Sequence, residues 1–133
     1  MEVNGHKIEP GADLRGAKLD AAKLGLAKLT RANLTGADLR GADLSCADLD
    51  NANLCGADLS FADLSHADLT GANLTGAKLA AADLSGAVLR GANLTNANLP
   101  GANLRRAWME KAILEGANYE GAIMPNGTIH YNA

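Results

Sequence analysis

The sequence predicts an all-β chain folded as a single domain: a quadrilateral parallel β-helix, a β-solenoid of about six four-sided coils. Three observations predict it. Alanine stands at every fifth position from Ala12 to Ala122, 23 times without a break. Two residues after each alanine stands a large apolar residue: leucine at every step from Leu14 to Leu104, then Met109, Leu114, Tyr119 and Met124. Between the two, asparagine recurs at Asn33, Asn53, Asn73 and Asn93, a spacing of 20.

A period of five suits neither regular element. Five residues turn an α-helix by about 500°, so successive leucines would lie about 140° apart and form no stripe. In one long strand an odd period would throw them onto alternate faces. Within a pentapeptide, however, alanine and leucine are two apart and point the same way on a short extended segment. The next two residues must turn the chain. Glycine fills the second of these in 11 of the 23 pentapeptides, and asparagine at Asn51, Asn96 and Asn126; both tolerate the dihedrals of a corner. The spacing of 20, shared by Gly16, Gly36, Gly56, Gly76 and Gly116, puts four sides in each coil. Twenty-three sides make 5.75 coils, a rod about 27 Å long at the ~4.8 Å spacing of parallel strands.

The composition agrees. With 133 residues the chain suits one domain, and at 3% aromatic its interior must be built from leucine and alanine. The expected division is an N-terminal cap over 1–10, the β-helix over 11–125 and a C-terminal tail or cap over 126–133. The net charge of −3 gives no signal for a nucleic-acid partner. No apolar run is long enough to span a bilayer, so no membrane partner is expected. The start, MEVNGHKIEP, lacks the apolar stretch of a secretory signal, and the cytoplasm is the expected location.

Chemistry finds little foothold. Cys46 and Cys55 form no CxxC or Cys/His cluster, so no metal or cofactor is expected. They fall on different sides, which argues against a disulfide. His6, His66 and His130 lie in the cap, at a corner and in the tail with no paired nucleophile, so the chain does not read as an enzyme. The glycines are periodic corners rather than a phosphate loop.

Any interaction must therefore use the outward positions. Four columns follow from the spacing of 20: Asp13 to Ile113 through the asparagines; Lys18, Asp38, Asp58, Lys78, Asn98 and Asn118; Lys23, Asp43, Asp63, Asp83, Asn103 and Ile123; Lys28, Asp48, Asp68, Val88 and Trp108. Residues 1–34 carry a net +2, residues 35–85 a net −6 and residues 86–133 a net +1. Asp38, Asp43, Asp48, Asp58, Asp63, Asp68 and Asp83 thus form an acidic waist, one candidate interaction surface. Asparagine amides stacked in the first column are expected to bond to the next coil and fix the register.

The second candidate is apolar. Val88, Trp108, Ile113 and Ile123 replace polar residues at outward positions near the C-terminus. One reading has the tail fold back and cover Trp108, Ile113 and Ile123. The other leaves them as a patch for a protein partner, or for a second copy paired as a homodimer through a coil end.

The tandem motif A(D/N)LXX over roughly Gly11 to Pro125 resembles the pentapeptide repeat family. That resemblance implies a right-handed coil. It also implies a non-enzymatic structural or protein–protein interaction module, without assigning a specific biochemical role. A minority alternative within the family is a DNA-mimicking regulator of a type II topoisomerase. Those relatives are longer and acidic throughout, whereas this waist reads as sparser than duplex DNA, with its one charge per ~1.7 Å, and has basic ends.

Overall fold

The structure is a computed structural model and describes residues 1–131. The chain opens with two short strands, β1 (Glu2–Val3) and β2 (His6–Lys7), paired antiparallel with Glu2 opposite Lys7 and Val3 opposite His6. Asn4 and Gly5 between them both have positive φ, 52° and 80°, as the tight hairpin turn that matches strand twist requires. The hairpin caps the first coil. Asn4 Nδ2 donates to the Lys18 carbonyl at 3.3 Å, Ile8 is buried and Val3 packs against the same core.

From Gly11 the chain winds into a four-sided coil. Each side makes a parallel bridge to the side twenty residues on, from Asp13 with Asn33 to Asn103 with Ile123. The spacing of 20 read from the asparagines is therefore the register on every side.

The pentapeptide Ala32–Gly36 shows why the motif repeats. The Ala32 N–H closes the preceding corner on the Leu29 carbonyl (3.0 Å), and the Asn33 N–H reaches down to Ala12 (2.8 Å). The N–H groups of Leu34 and Gly36 reach up to Asn53 (2.7 Å) and Cys55 (2.9 Å). The fifth N–H, of Thr35, donates to Oδ1 of Asn33 at 3.1 Å. All five backbone donors are thus satisfied, as a tightly wound chain demands. Asp and Asn are favoured before leucine because their side-chain oxygen serves that fifth donor. The asparagine oxygens therefore bond within their own turn (Asn33, Asn53, Asn73 and Asn93 alike), not to the next coil as expected. Ile123 offers no such oxygen, and two residues later stands Pro125, which has no N–H to satisfy.

The corners carry strain. The residue before each alanine has positive φ at every corner from Gly16 to Gly121, as the third position of a type II turn requires. Eleven of these 22 residues are not glycine; Leu26 (63°) and Phe61 (62°) are the bulkiest. The interior offsets this: the leucines at five-residue steps from Leu19 to Leu99 are all fully buried, and among the described residues no polar or charged side chain is buried. Each buried leucine contributes roughly 1.5–3 kcal/mol.

At the C-terminal end the tail does fold back, but over one side only. Ile129 pairs antiparallel with Ile123. The bond from Gly121 N–H to the His130 carbonyl (2.7 Å) and that from His130 N–H to the Ala122 carbonyl (2.8 Å) hold this extra layer in place. The rings of Tyr119 and His130 meet at 4.2 Å. Trp108 (51% exposed) and Ile113 (45%) remain uncovered, because the hairpin formed by the tail reaches no farther than the side it pairs with. Residues 132 and 133, the end of the expected 126–133 tail, lie outside the described residues.

Candidate interaction surfaces

The acidic waist is built as three in-register columns. Asp38 bridges to Asp58, Asp43 to Asp63 and Asp63 to Asp83, and Asp48 to Asp68. Each carboxylate accepts from the backbone N–H two residues on, which holds it close to its corner. In the third column the hydroxyls of Ser45, Ser65 and Ser85 also donate, each at 2.6 Å. The hydroxyl and then the N–H of Ser45 hold Asp43 below the usual carboxylate range. Asp38 differs: Arg40 grips both its oxygens at 2.8 and 2.7 Å and, through that bonding, lowers its pKa to about 2. Asp13, gripped in the same way by Arg15, is lowered too. The second column is therefore partly neutralised, and the acid is presented mainly by the third and fourth.

The four outward apolar residues do not make one patch. Val88 stacks under Trp108 in the fourth column, whereas Ile113 belongs to the first and Ile123 to the third, which are opposite faces of the square. The Arg90 guanidinium lies 5.2 Å from the Trp108 ring centre and donates to Glu110 at 2.6 Å, so one face of the indole is already occupied.

What links the apolar residues is the end of the coil, where the sequence analysis placed a possible pairing with a second copy. Met109, Leu114 and Tyr119 are only partly buried there, with Ala112 and Ala117 beside them. Among the described residues, the N–H groups of Met109, Lys111, Leu114, Gly116 and Tyr119 have no backbone acceptor above them. Nor do the carbonyls of Ala107, Ala112 and Ala117 have a donor. Three sides of the last coil are thus an open strand edge around an apolar floor.

No group of three or more His, Cys, Asp or Glu residues suited to a metal ion occurs among the described residues. No described helix is long and apolar enough to cross a membrane. Cys46 and Cys55 are both free thiols.

A polar rod with a sealed aliphatic interior defines a solenoid repeat protein. Residues 11–45, 37–76, 47–86 and 77–116 match the family model for pentapeptide repeats, and the chain belongs to that family. Its coil is accordingly a right-handed parallel β-helix.

Among solved structures it is similar to HetL of the cyanobacterium Nostoc sp. strain PCC 7120, a pentapeptide repeat protein involved in heterocyst differentiation regulation. The two are 39% identical with a TM-score of 0.58, over 90% of this chain and 65% of HetL. Rfr23 of the cyanobacterium Cyanothece 51142 is 42% identical with a TM-score of 0.52, over 73% of this chain and 63% of Rfr23. The chain thus spans less than two thirds of either relative. A trypsin-treated QnrB1, a plasmid-mediated fluoroquinolone resistance protein, is 22% identical with a TM-score of 0.58 over 84% of this chain and 66% of that one, and shares the fold alone. No curated protein matches the chain.

Proposed function

We propose that the chain is a non-enzymatic protein-interaction module that engages its partner through the open C-terminal end of its coil. The observation that carries this is the edge of the last coil, where, among the described residues, the N–H groups of Met109, Lys111, Leu114, Gly116 and Tyr119 have no backbone acceptor. Such an edge takes an added strand from another chain, main-chain bonds giving affinity and apolar side chains giving fit. At the N-terminal end Leu14, Leu19, Leu24 and Leu29 are all buried, so the apolar floor is offered at the C-terminal end, and a discrete partner is favoured over an open filament. That partner is another protein or a second copy. Two free cysteines suit a reducing compartment, which supports the cytoplasm as its place.

Hydrogen exchange tests the reading. In the free protein the amides of Met109, Leu114 and Tyr119 exchange fast. A partner captured from the source lysate, or self-association at raised concentration, slows them selectively, and Trp108→Asp weakens capture. Binding that leaves these amides unprotected refutes it.

The acidic columns favour a second reading, mimicry of duplex DNA toward a type II topoisomerase. The register compresses residues 35–85 into about 12 Å of rod at ~4.8 Å per coil. Their net −6 then amounts to about one charge per 2 Å, close to duplex DNA, so the waist is denser than the sequence reading held. It covers only three to four base pairs of length, about 3.4 Å each, which is why this reading comes second. Supercoiling inhibition by micromolar protein, lost on replacing Asp43, Asp63 and Asp83 with asparagine, supports it; no inhibition removes it.

A further inference from the structure

On the corner between the third and fourth sides lies a half-open notch of about 310 Å³, lined by His66, Ser85, Gly86, Asn103, Arg105 and Arg106. The register builds it. His66, Gly86 and Arg106 stand one above another in a single corner column, tied by backbone bonds from His66 N–H to Ser85 (2.9 Å) and from Gly86 N–H to Arg105 (2.8 Å). A β-carbon on Gly86 would meet Nδ1 of His66 at 2.5 Å and Cε1 at 2.6 Å. The imidazole therefore lies against the glycine and occupies the space that a side chain there would fill. His66 forms the floor of the notch and the arginines lie on the coil above.

The state of Arg105 sets this corner apart. Four arginines directly follow a core leucine: Arg15, Arg40, Arg90 and Arg105. Asp13 captures Arg15, Asp38 captures Arg40, and Glu110 captures Arg90. Two residues before Arg105 stands Asn103, whose oxygen takes only the Arg105 backbone N–H at 3.0 Å. Among the described residues neither Arg105 nor Arg106 has an ion-pair partner. In the same column the residue below is Asp83, itself held by the N–H and hydroxyl of Ser85 at 2.9 and 2.6 Å. The carboxylate column thus ends one coil short of two adjacent uncommitted guanidiniums.

We propose that this notch is a binding subsite for a phosphate monoester group. The lining offers two guanidinium forks, the Asn103 side-chain amide and the His66 imidazole. Donors from several directions suit a tetrahedral anion with three terminal oxygens, whereas a carboxylate is satisfied by one guanidinium fork alone. The volume lies at the small end of ligand sites and suits a compact head group.

The test is an amide NMR titration of the full chain at constant ionic strength, with inorganic phosphate and with a phosphoserine peptide beside its unphosphorylated form. Saturable shifts centred on His66, Gly86 and Arg106 with either phosphate probe, and none with the unphosphorylated peptide, are expected. A peptide that binds more tightly than phosphate points to a phosphorylated protein as the source, and equal binding to a free phosphate ester. Asn103→Asp recreates the arrangement in which Asp38 holds Arg40, and should weaken binding by about tenfold or more without lowering the thermal midpoint. Arg105→Ala should do the same, and Arg40→Ala should leave binding unchanged. The proposal fails if neither phosphate probe saturates, if shifts spread evenly over all lysines and arginines, or if both Asn103→Asp and Arg105→Ala bind like the unaltered chain.

Discussion

Truncating Leu64 to alanine is expected to destabilise the rod by about 4 kcal/mol, inside the 2–5 kcal/mol span of buried Leu→Ala changes. Leu64 is 0% exposed, with Leu44 one coil below and Leu84 one coil above. The substitution removes three carbons from the interior, about 2.4 kcal/mol at ~0.8 kcal/mol each. The rest comes from the void, because the surrounding wall cannot close on it. The Leu64 N–H is fixed to Asp83 at 2.7 Å, and its carbonyl to Ala67 at 3.0 Å. Leu114→Ala supplies the contrast. That leucine is only partly buried in the last coil, and its loss should cost about 1–2 kcal/mol. Urea unfolding followed by far-UV circular dichroism, extrapolated linearly to water, measures both. A loss below 1 kcal/mol for Leu64→Ala, or a larger loss for Leu114→Ala than for Leu64→Ala, would refute the reasoning.

Three further predictions concern the corners and the surface. Leu26→Gly and Phe61→Gly should each stabilise the fold by about 0.5–1 kcal/mol: they relieve a left-handed residue worth about 1–2 kcal/mol and add glycine's entropy cost of about 0.5–1 kcal/mol. Both side chains, 74% and 72% exposed, surrender little burial; a lowered urea midpoint contradicts this. Gly86→Ala should lower the thermal midpoint more than Gly91→Ala, since both have positive φ but only the former drives a β-carbon into His66; equal midpoints contradict it. The Asp38 pKa is lowered to about 2 by Arg40, so between about pH 4 and 2 the unfolded chain binds the extra proton. The stabilisation is therefore full above about pH 4 and lost as pH falls through about 2. Relative to Asp38→Asn, the unaltered chain should lose its advantage in that window on urea unfolding, and a difference that persists at pH 2 contradicts the assignment.

Most of the fold was legible because the interior is repetitive. Ala12 to Ala122 and their following leucines gave the sides, and Asn33 to Asn93 gave the register. The use of those asparagines was harder to read: periodicity says that a position matters but not which way its oxygen turns, and it turns to its own corner. The Asn4–Gly5 hairpin was signalled by its two residues and passed over because it stands outside the repeat. At the other end, apolar letters at Trp108, Ile113 and Ile123 gave no warning that they lie on three different faces until the columns were assigned. The notch at His66 was spelled in the contrast between Asp-x-Arg at 13/15 and 38/40 and Asn-x-Arg at 103/105. That contrast acquires meaning only once a spacing of 20 brings Gly86 and Arg106 above His66.

The uniform bridging has a consequence for how such a surface changes. Because every side from Ala12 to Leu104 has the same Ala–x–Leu interior, losing one pentapeptide from the middle of the rod leaves the core pattern unaltered. It rotates everything beyond it by a quarter turn. Deletion of residues 71–75 would seat Gly86 and Arg106 over a different corner from His66 and turn Val88 and Trp108 together off the Asp68 face, with no remaining leucine displaced from the interior. A loss of twenty residues would instead shorten the rod and keep every face aligned. In this architecture small insertions and deletions act as a dial on surface geometry, largely separated from stability.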